Sequence, residues 1–375
     1  MAQQLYFSRD TKVYIEIGSE VWEIPVLDGF SFSQATNVSE ISLSEMEDSA
    51  GNSKRGRRAF NDSLAPAEWS FSTYVRPFIS AGTGAGAADT AANHHAVEEV
   101  LWALMAGDAA YASSTFTGFT ADTTDLNIDF DSSNKSTLGT ASIYFVVGNA
   151  NKKVYKLTSA VVNEATLNFE IDGIAMIDWS GFAAEVVDDT ATGLPTATIY
   201  EDVTATDNFI RNRLTQLTIV PTTQDPDGDS TDELEASYDL TLTGGSITIS
   251  NNITYITPEE LGKVNLPIGH VTGGRSVSGN FTCYLLKDTA AINKSSDFFE
   301  DMKDITNVVT NSFELVFKVG GGTSTPRLEL SMPTVHIDIP THSIEDVIAL
   351  ETNFNALPSS IELTDEVALT YVGAA

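Results

Sequence analysis

Asp225-Pro-Asp227-Gly-Asp229 sets carboxylates at alternate positions, as a calcium loop does at its first, third and fifth positions. The remainder of that pattern fails. Its sixth position is Ser230 where a glycine must turn, and its twelfth is Ala236 where a bidentate Glu belongs. Segment 222–236 therefore reads as an acidic solvated loop. Gly82-Thr-Gly84-Ala-Gly86 lacks the Lys-Ser/Thr of a phosphate loop and any flanking βαβ pattern, so the Gly/Ala-rich run 80–92 reads as a surface connector. Nucleophilic catalysis needs a Ser or Cys beside an oriented His. Gly274-Arg-Ser276-Val-Ser278 breaks the GxSxG pattern, and Cys283, the sole cysteine, alternates with Phe281 and Leu285 as a core thiol would. His94 and His95 open a predicted helix, and with His270, His336 and His342 they show no zinc spacing. No catalytic residue, metal or cofactor is expected, and an enzyme is disfavoured.

One charged cluster stands apart. Glu45, Glu47 and Asp48 precede Lys54, Arg55, Arg57 and Arg58 across a turn-forming stretch, in a chain of 375 residues with 52 Asp+Glu against only 20 Lys+Arg. A net charge of −32 repels phosphates and argues against a protein that grips nucleic acid. The cluster reads instead as a two-stranded arm, oppositely charged on its limbs, that meets its complement on another copy of the chain; a plain solvated loop is the alternative. Such a contact is heterologous and propagates into rings or filaments.

Most of the chain around these residues reads as strands. Hydrophobic residues make up 42% of the chain, enough for a core. Period-two alternation at 12–17, 141–147, 165–171, 246–251 and 313–319 predicts half-buried strands, and helical spacing predicts helices over 93–107 and 295–306. The N-terminus has no apolar run of signal-peptide length, and no stretch approaches a membrane span, so folding in a cytosol is expected. The class is mainly β, with one helix in each half. The halves also match in order: Phe30-Ser-Phe-Ser-Gln with Ile247-Thr-Ile-Ser-Asn, Phe71-Ser-Thr-Tyr-Val with Phe281-Thr-Cys-Tyr-Leu, then Ile171-Asp-Gly-Ile-Ala-Met-Ile with Ile344-Glu-Asp-Val-Ile-Ala-Leu. Two tandem domains are expected, residues 1–195 and 205–375, with the boundary in the polar stretch 188–207.

Along 30–35 and 68–72 Phe30, Phe32, Trp69 and Phe71 alternate with Ser31, Ser33, Glu68, Ser70 and Ser72; Ile247 and Ile249 alternate with Thr248 and Ser250. One face suits a core and the other a water-filled channel, or the solvent side of an ordinary sandwich.

The run 28–78, with its charged loop and its Tyr74-Val-Arg76-Pro77 ending, and the segment IDGIAMIDWSG (171–181) resemble the tail tube proteins of long-tailed, non-contractile phages. The resemblance implies two β-sandwich or barrel domains, each with a flanking helix, in a structural virion protein. Such proteins stack as rings into a conduit for DNA ejection, with the tape-measure, tail terminator and baseplate or tip proteins as partners. It implies a tail built in the host cytoplasm, no membrane, DNA that passes without specific binding, and an acidic, polar lumen lined by Ser31, Ser33, Glu68, Ser70, Ser72, Thr248 and Ser250. Glu45 to Arg58 would join ring to ring. Two domains per chain favour three chains in a pseudo-sixfold ring over six chains. The second half departs from the pattern, since its loop 256–276 carries only Lys263 and Arg275. A secreted or surface β-sandwich adhesin or carbohydrate-binding module is the alternative of another class.

Overall fold

The computed structural model describes residues 5–41, 49–52, 58–80, 92–107, 110–112, 114–130, 138–148, 151–200, 208–225, 234–261, 264–287, 295–304, 313–322, 326–344 and 346–373. Sixteen of its strands fall into two series. The first comprises β1 (Thr11–Ile17), β2 (Glu20–Ile24), β3 (Ser31–Ile41), β4 (Arg58–Tyr74), β5 (Ala141–Val147), β6 (Lys153–Glu170), β7 (Met176–Ala183) and β8 (Glu185–Asp188). The second comprises β9 (Gln216–Pro221), β10 (Tyr238–Leu240), β11 (Leu242–Ser250), β12 (Ser276–Tyr284), β13 (Phe313–Val319), β14 (Arg327–Ile337), β15 (Ile348–Ala356) and β16 (Ala368–Val372). Helix α1 (Glu99–Ala106) lies between β4 and β5, and α2 (Ser295–Asp304) between β12 and β13. The protein is mainly β.

Every antiparallel pairing of the first series recurs in the second between strands numbered eight higher. In the first, β2, β1, β5, β6 and β8 form one layer and β3, β4, β7 and β6 the other. In the second, β10, β9, β13, β14 and β16 form one layer and β11, β12, β15 and β14 the other. The long strand β6 bends past a register shift at Asn163 and serves both layers of its unit, which is what a bulge in a barrel-like sandwich accomplishes.

Alternation explains the strands. β13 buries Phe313, Leu315, Phe317 and Val319 and leaves the residues between them half exposed, and β7 repeats the pattern with Ile177, Trp179 and Ala183. All eight residues of α1 are buried, whereas α2 buries Phe298 and Met302 on one side and is started by Ser295, whose Oγ accepts from the Leu286 N–H at 2.8 Å and donates to the Tyr284 carbonyl at 2.6 Å.

Two expectations need correction. The first helix begins at Glu99, not at 93: His94–Ala96 pair as a strand with Pro77–Ile79, so backbone pairing overrides the helical spacing of the side chains. The internal match also slips by two residues in one place. With Phe71 set against Phe281, cross-strand register places Ile247 against Phe32, not Phe30; a two-residue shift keeps every side chain on its face.

Candidate functional site

The feature that organises the molecule is the joint between its two series of strands. β6 pairs antiparallel with β11, from Glu164 opposite Ser250 to Glu170 opposite Gly244. Two four-stranded sheets thereby become one continuous eight-stranded sheet in the order β3-β4-β7-β6-β11-β12-β15-β14. Beneath it Leu167, Ile247 and Ile249 are buried, and Phe169 stacks on Phe317 with ring centroids 5.7 Å apart.

The opposite face is mostly polar, with Tyr74, Met176 and Phe182 as apolar exceptions in the first unit. One row across the strands reads Ser72, Asp178, Thr166, Thr248, Ser278, Asn355, His336; another reads Ser31, Ser70, Ser180, Glu164, Ser250, Ser276. Neither holds a lysine or arginine. The side chains bond sideways: Ser31 with Ser70 at 2.9 Å, Ser72 to Asp178 at 2.5 Å, Asn168 to Asp178 at 3.0 Å, and Thr166 with Thr248 across the joint at 3.0 Å. Ser31, Ser33, Glu68, Ser70, Ser72, Thr248 and Ser250 all lie on this one face.

A second layer of ties crosses the same joint. The strand Asp125–Asp129, from the first half, pairs with β16 along its whole length. Below it Tyr371 donates its hydroxyl to Glu98 at 2.6 Å and accepts from the Trp102 indole at 2.7 Å. Arg76 donates through Nε and Nη2 to Asn208 Oδ1, both at 3.3 Å, and lies over the Phe209 ring. Burial pushes the Glu98 carboxyl up to about 8, against the opposing pull of Tyr371 and Arg76. Glu98, Tyr371 and Asn208 were not singled out by sequence; a Glu inside an apolar helical run was the available signal.

No family profile matches the chain. Along 380 residues, 96% of this chain and 75% of the relative, it is 30% identical to "Tail tube protein pb6" of Escherichia phage T5. The chain belongs to the phage tail tube proteins. As a tail tube protein it is a viral structural protein of the virion tail.

In this tail tube protein the predicted charged arm is described at its base and at residues 49–52. β3 and β4 run up together to Ile41 opposite Arg58; Glu45, Glu47, Asp48, Lys54, Arg55 and Arg57 lie outside the described residues. Arg58 opens β4, and the arm's described part also exposes Val38, Ile41 and Phe60. Its flank is braced by the second half: the Leu64 N–H donates to the Asn265 carbonyl at 2.9 Å, and the Asn265 N–H to the Asp62 carbonyl at 3.1 Å. Arg275 serves the interior, 3.3 Å from Glu366 and over the Phe130 ring.

Of the chemistry-bearing residues, Cys283 is buried and its thiol is pushed up to about 12 by desolvation. His94 and His95 are buried in their short strand, with His95 Nδ1 2.8 Å from Glu99; His270 accepts from the Leu138 N–H at 3.0 Å. Asp227, Asp229, Gly82, Gly84 and Gly86 lie outside the described residues. Among the described residues no group of three or more His, Cys, Asp or Glu is placed to hold a metal, and no helix is long and apolar enough to cross a membrane.

Proposed function

We propose that this chain polymerises as stacked rings of three copies into the tail tube, with the polar face of its continuous sheet turned to the lumen that conducts DNA during ejection. Residues 1–195 and 205–375 are the two tube domains. The observation that carries this reading is the β6–β11 joint: one chain already holds two copies of the strand frame side by side, in one sheet, with one face polar. Three chains continuing that pattern make a pseudo-sixfold barrel, which also removes sheet edges that would otherwise pair at random.

Glu68, Asp178 and Glu164 on that face repel passing phosphates, and the short Ser and Thr side chains leave the bore open. DNA is conducted without being bound, and no catalytic step is involved. The arm from Glu45 to Arg58 reaches the next ring and pairs charge with charge. Tape-measure protein fills the lumen before DNA does, and terminator and tip proteins cap the ends; assembly takes place in the host cytoplasm. The adhesin alternative has no observation in its favour.

Electron microscopy of the purified protein tests the reading. Hollow tubes whose rings each contain three chains are expected; six chains per ring, or particles that never stack, would refute it. Replacing Arg57 and Arg58 by Glu should stop stacking while leaving thermal unfolding unchanged, and intact tubes from that variant would remove the arm from the ring-to-ring contact.

A further inference from the structure

The internal joint is a template for the contact between chains, and the two ends of the sheet do not match it equally. Among the described residues β3 pairs with β4 alone, so its other side is one end of the sheet. At the other end, β14 is followed by the short strand Thr341–Ile344, and both lie along β15. Cross-strand register equates these residues with β6. Thr166 opposes Asp178, Thr341 opposes Glu351, and Asp178 and Glu351 hold the same place in β7 and β15. On β3, the same reasoning equates Ser33 with Thr248 and Ser31 with Ser246.

One feature breaks the equivalence. The Asn251 N–H bonds to the Asn163 carbonyl at 2.8 Å, so alternation aims the backbone of Ala165, two residues on, at β11. Both units carry one extra residue on this strand, but in different places: in the first it is Asn163, between Val162 opposite Gly181 and Glu164 opposite Ser180, and in the second it falls between Ile337 opposite Phe354 and Thr341 opposite Glu351. The Asp338 N–H bonds to Asn353, so Ile339 and Pro340 bulge where the first unit has Ala165 alone. Pro340 has no N–H to give. Proline and bulges are the devices by which sheet edges resist casual pairing. The outer connection differs as well: residues 107–140 separate α1 from β5 and supply the strand Asp125–Asp129, whereas only 305–312 separate α2 from β13.

We propose that the edge Asp338–Ile344 takes β3 of a second copy of this chain, with Thr341 opposite Ser33 and Ser343 opposite Ser31, and that the Ile339–Pro340 bulge holds this seam weaker than the internal joint. The proposal rests on the ring reading above and assigns its register and its control. A ring then has alternating strong and weak seams. Lone chains then stay apart at low concentration and close into rings only above a threshold that the weak seam sets.

Two variants test it in the full chain. Thr341→Cys with Ser33→Cys should, on mild oxidation of tubes, give a covalent ladder ending at three chains, since facing residues of a non-hydrogen-bonded pair meet disulfide geometry; Ser343→Cys with Ser33→Cys, out of register, should not. Pro340→Ala restores one N–H and should lower the protein concentration at which rings form by roughly fivefold, the worth of about one hydrogen bond. Its melting curve and the same cross-link check that the buried site still folds. Tubes without the in-register ladder would overturn the seam while leaving the ring reading intact. A ladder with an unchanged assembly threshold in Pro340→Ala would overturn the bulge as its control. A parent chain that stays monomeric at every concentration removes both.

Discussion

In the first unit Trp69 on β4 lies opposite Gly181 on β7; in the second the large residue has changed sides, with Phe354 on β15 opposite Gly279 on β12. The positions correspond, so the units keep the pair and exchange its members. Each glycine is enforced by its partner. A Cβ on Gly181 would stand 2.7 Å from Trp69 Cζ2 and 2.0 Å from the Val161 carbonyl oxygen; one on Gly279 would stand 2.6 Å from Phe354 Cζ and 2.2 Å from the Ser246 carbonyl oxygen. What the halves hold constant at this site is the volume shared by two strands, not the identity of either residue.

Moving the aromatic in one unit only should disturb the molecule most. Gly279→Trp alone should prevent folding, while adding Phe354→Gly, which copies the first unit's arrangement, removes the ring clash but not the close Ser246 carbonyl and should recover part of the soluble, cooperatively melting protein. A coupling on the order of 2 kcal/mol or more in the double-mutant cycle is expected; additive losses would mean that the two pairs are not equivalent. Gly279→Ala probes the same contact more gently, at roughly 1–3 kcal/mol in thermal or denaturant unfolding.

Next in size is the buried tie across the internal joint. Tyr371→Phe leaves the Trp102 indole without its acceptor and Glu98 with only the Arg76 N–H, and should cost about 2 kcal/mol of global stability. A loss within error would show that the joint is held by its strands alone. The same Glu98 gives a smaller, pH-dependent signature. Its folded pKa, about 8, lies above the ordinary 4.5, so the folded state keeps a proton that the unfolded chain surrenders. Its contribution is therefore fully present below the ordinary value, falls as pH rises toward 8, and is level beyond it, with a slope of at most about 1.4 kcal/mol per pH unit. Relative to the parent, Glu98→Gln should flatten that decline; parallel curves would contradict the assignment. Smallest of all, Thr166→Val removes one half-exposed hydroxyl contact across the joint and should change stability by no more than about 1 kcal/mol.

Much of the strand frame was legible. The alternations at 141–147 and 313–319 coincide with β5 and β13, and the shared order of motifs foreshadowed the doubled topology, because period two and turn residues are local signals. The short strand His94–Ala96 was not legible, since only its pairing with Pro77–Ile79 reveals it. Nor was the joint: 165–171 reads as one half-buried strand, and nothing in it tells that β6 extends from Lys153 and takes β7 on one side and β11 on the other. The polar face followed from alternation, whereas the buried Glu98–Tyr371 bond joins residues 273 apart in sequence, and the Glu inside an apolar run hinted at burial without naming its partner.

The polar rows have one more consequence, a mechanical one. Their hydroxyl and amide contacts, like the backbone bonds beneath them, run across the strands. In a closed ring that direction is the circumference, so each row acts as a hoop around the bore. A wall built this way resists swelling under pressure from within while its compliance is left to the contacts between rings, letting a tube bend along its length without changing calibre.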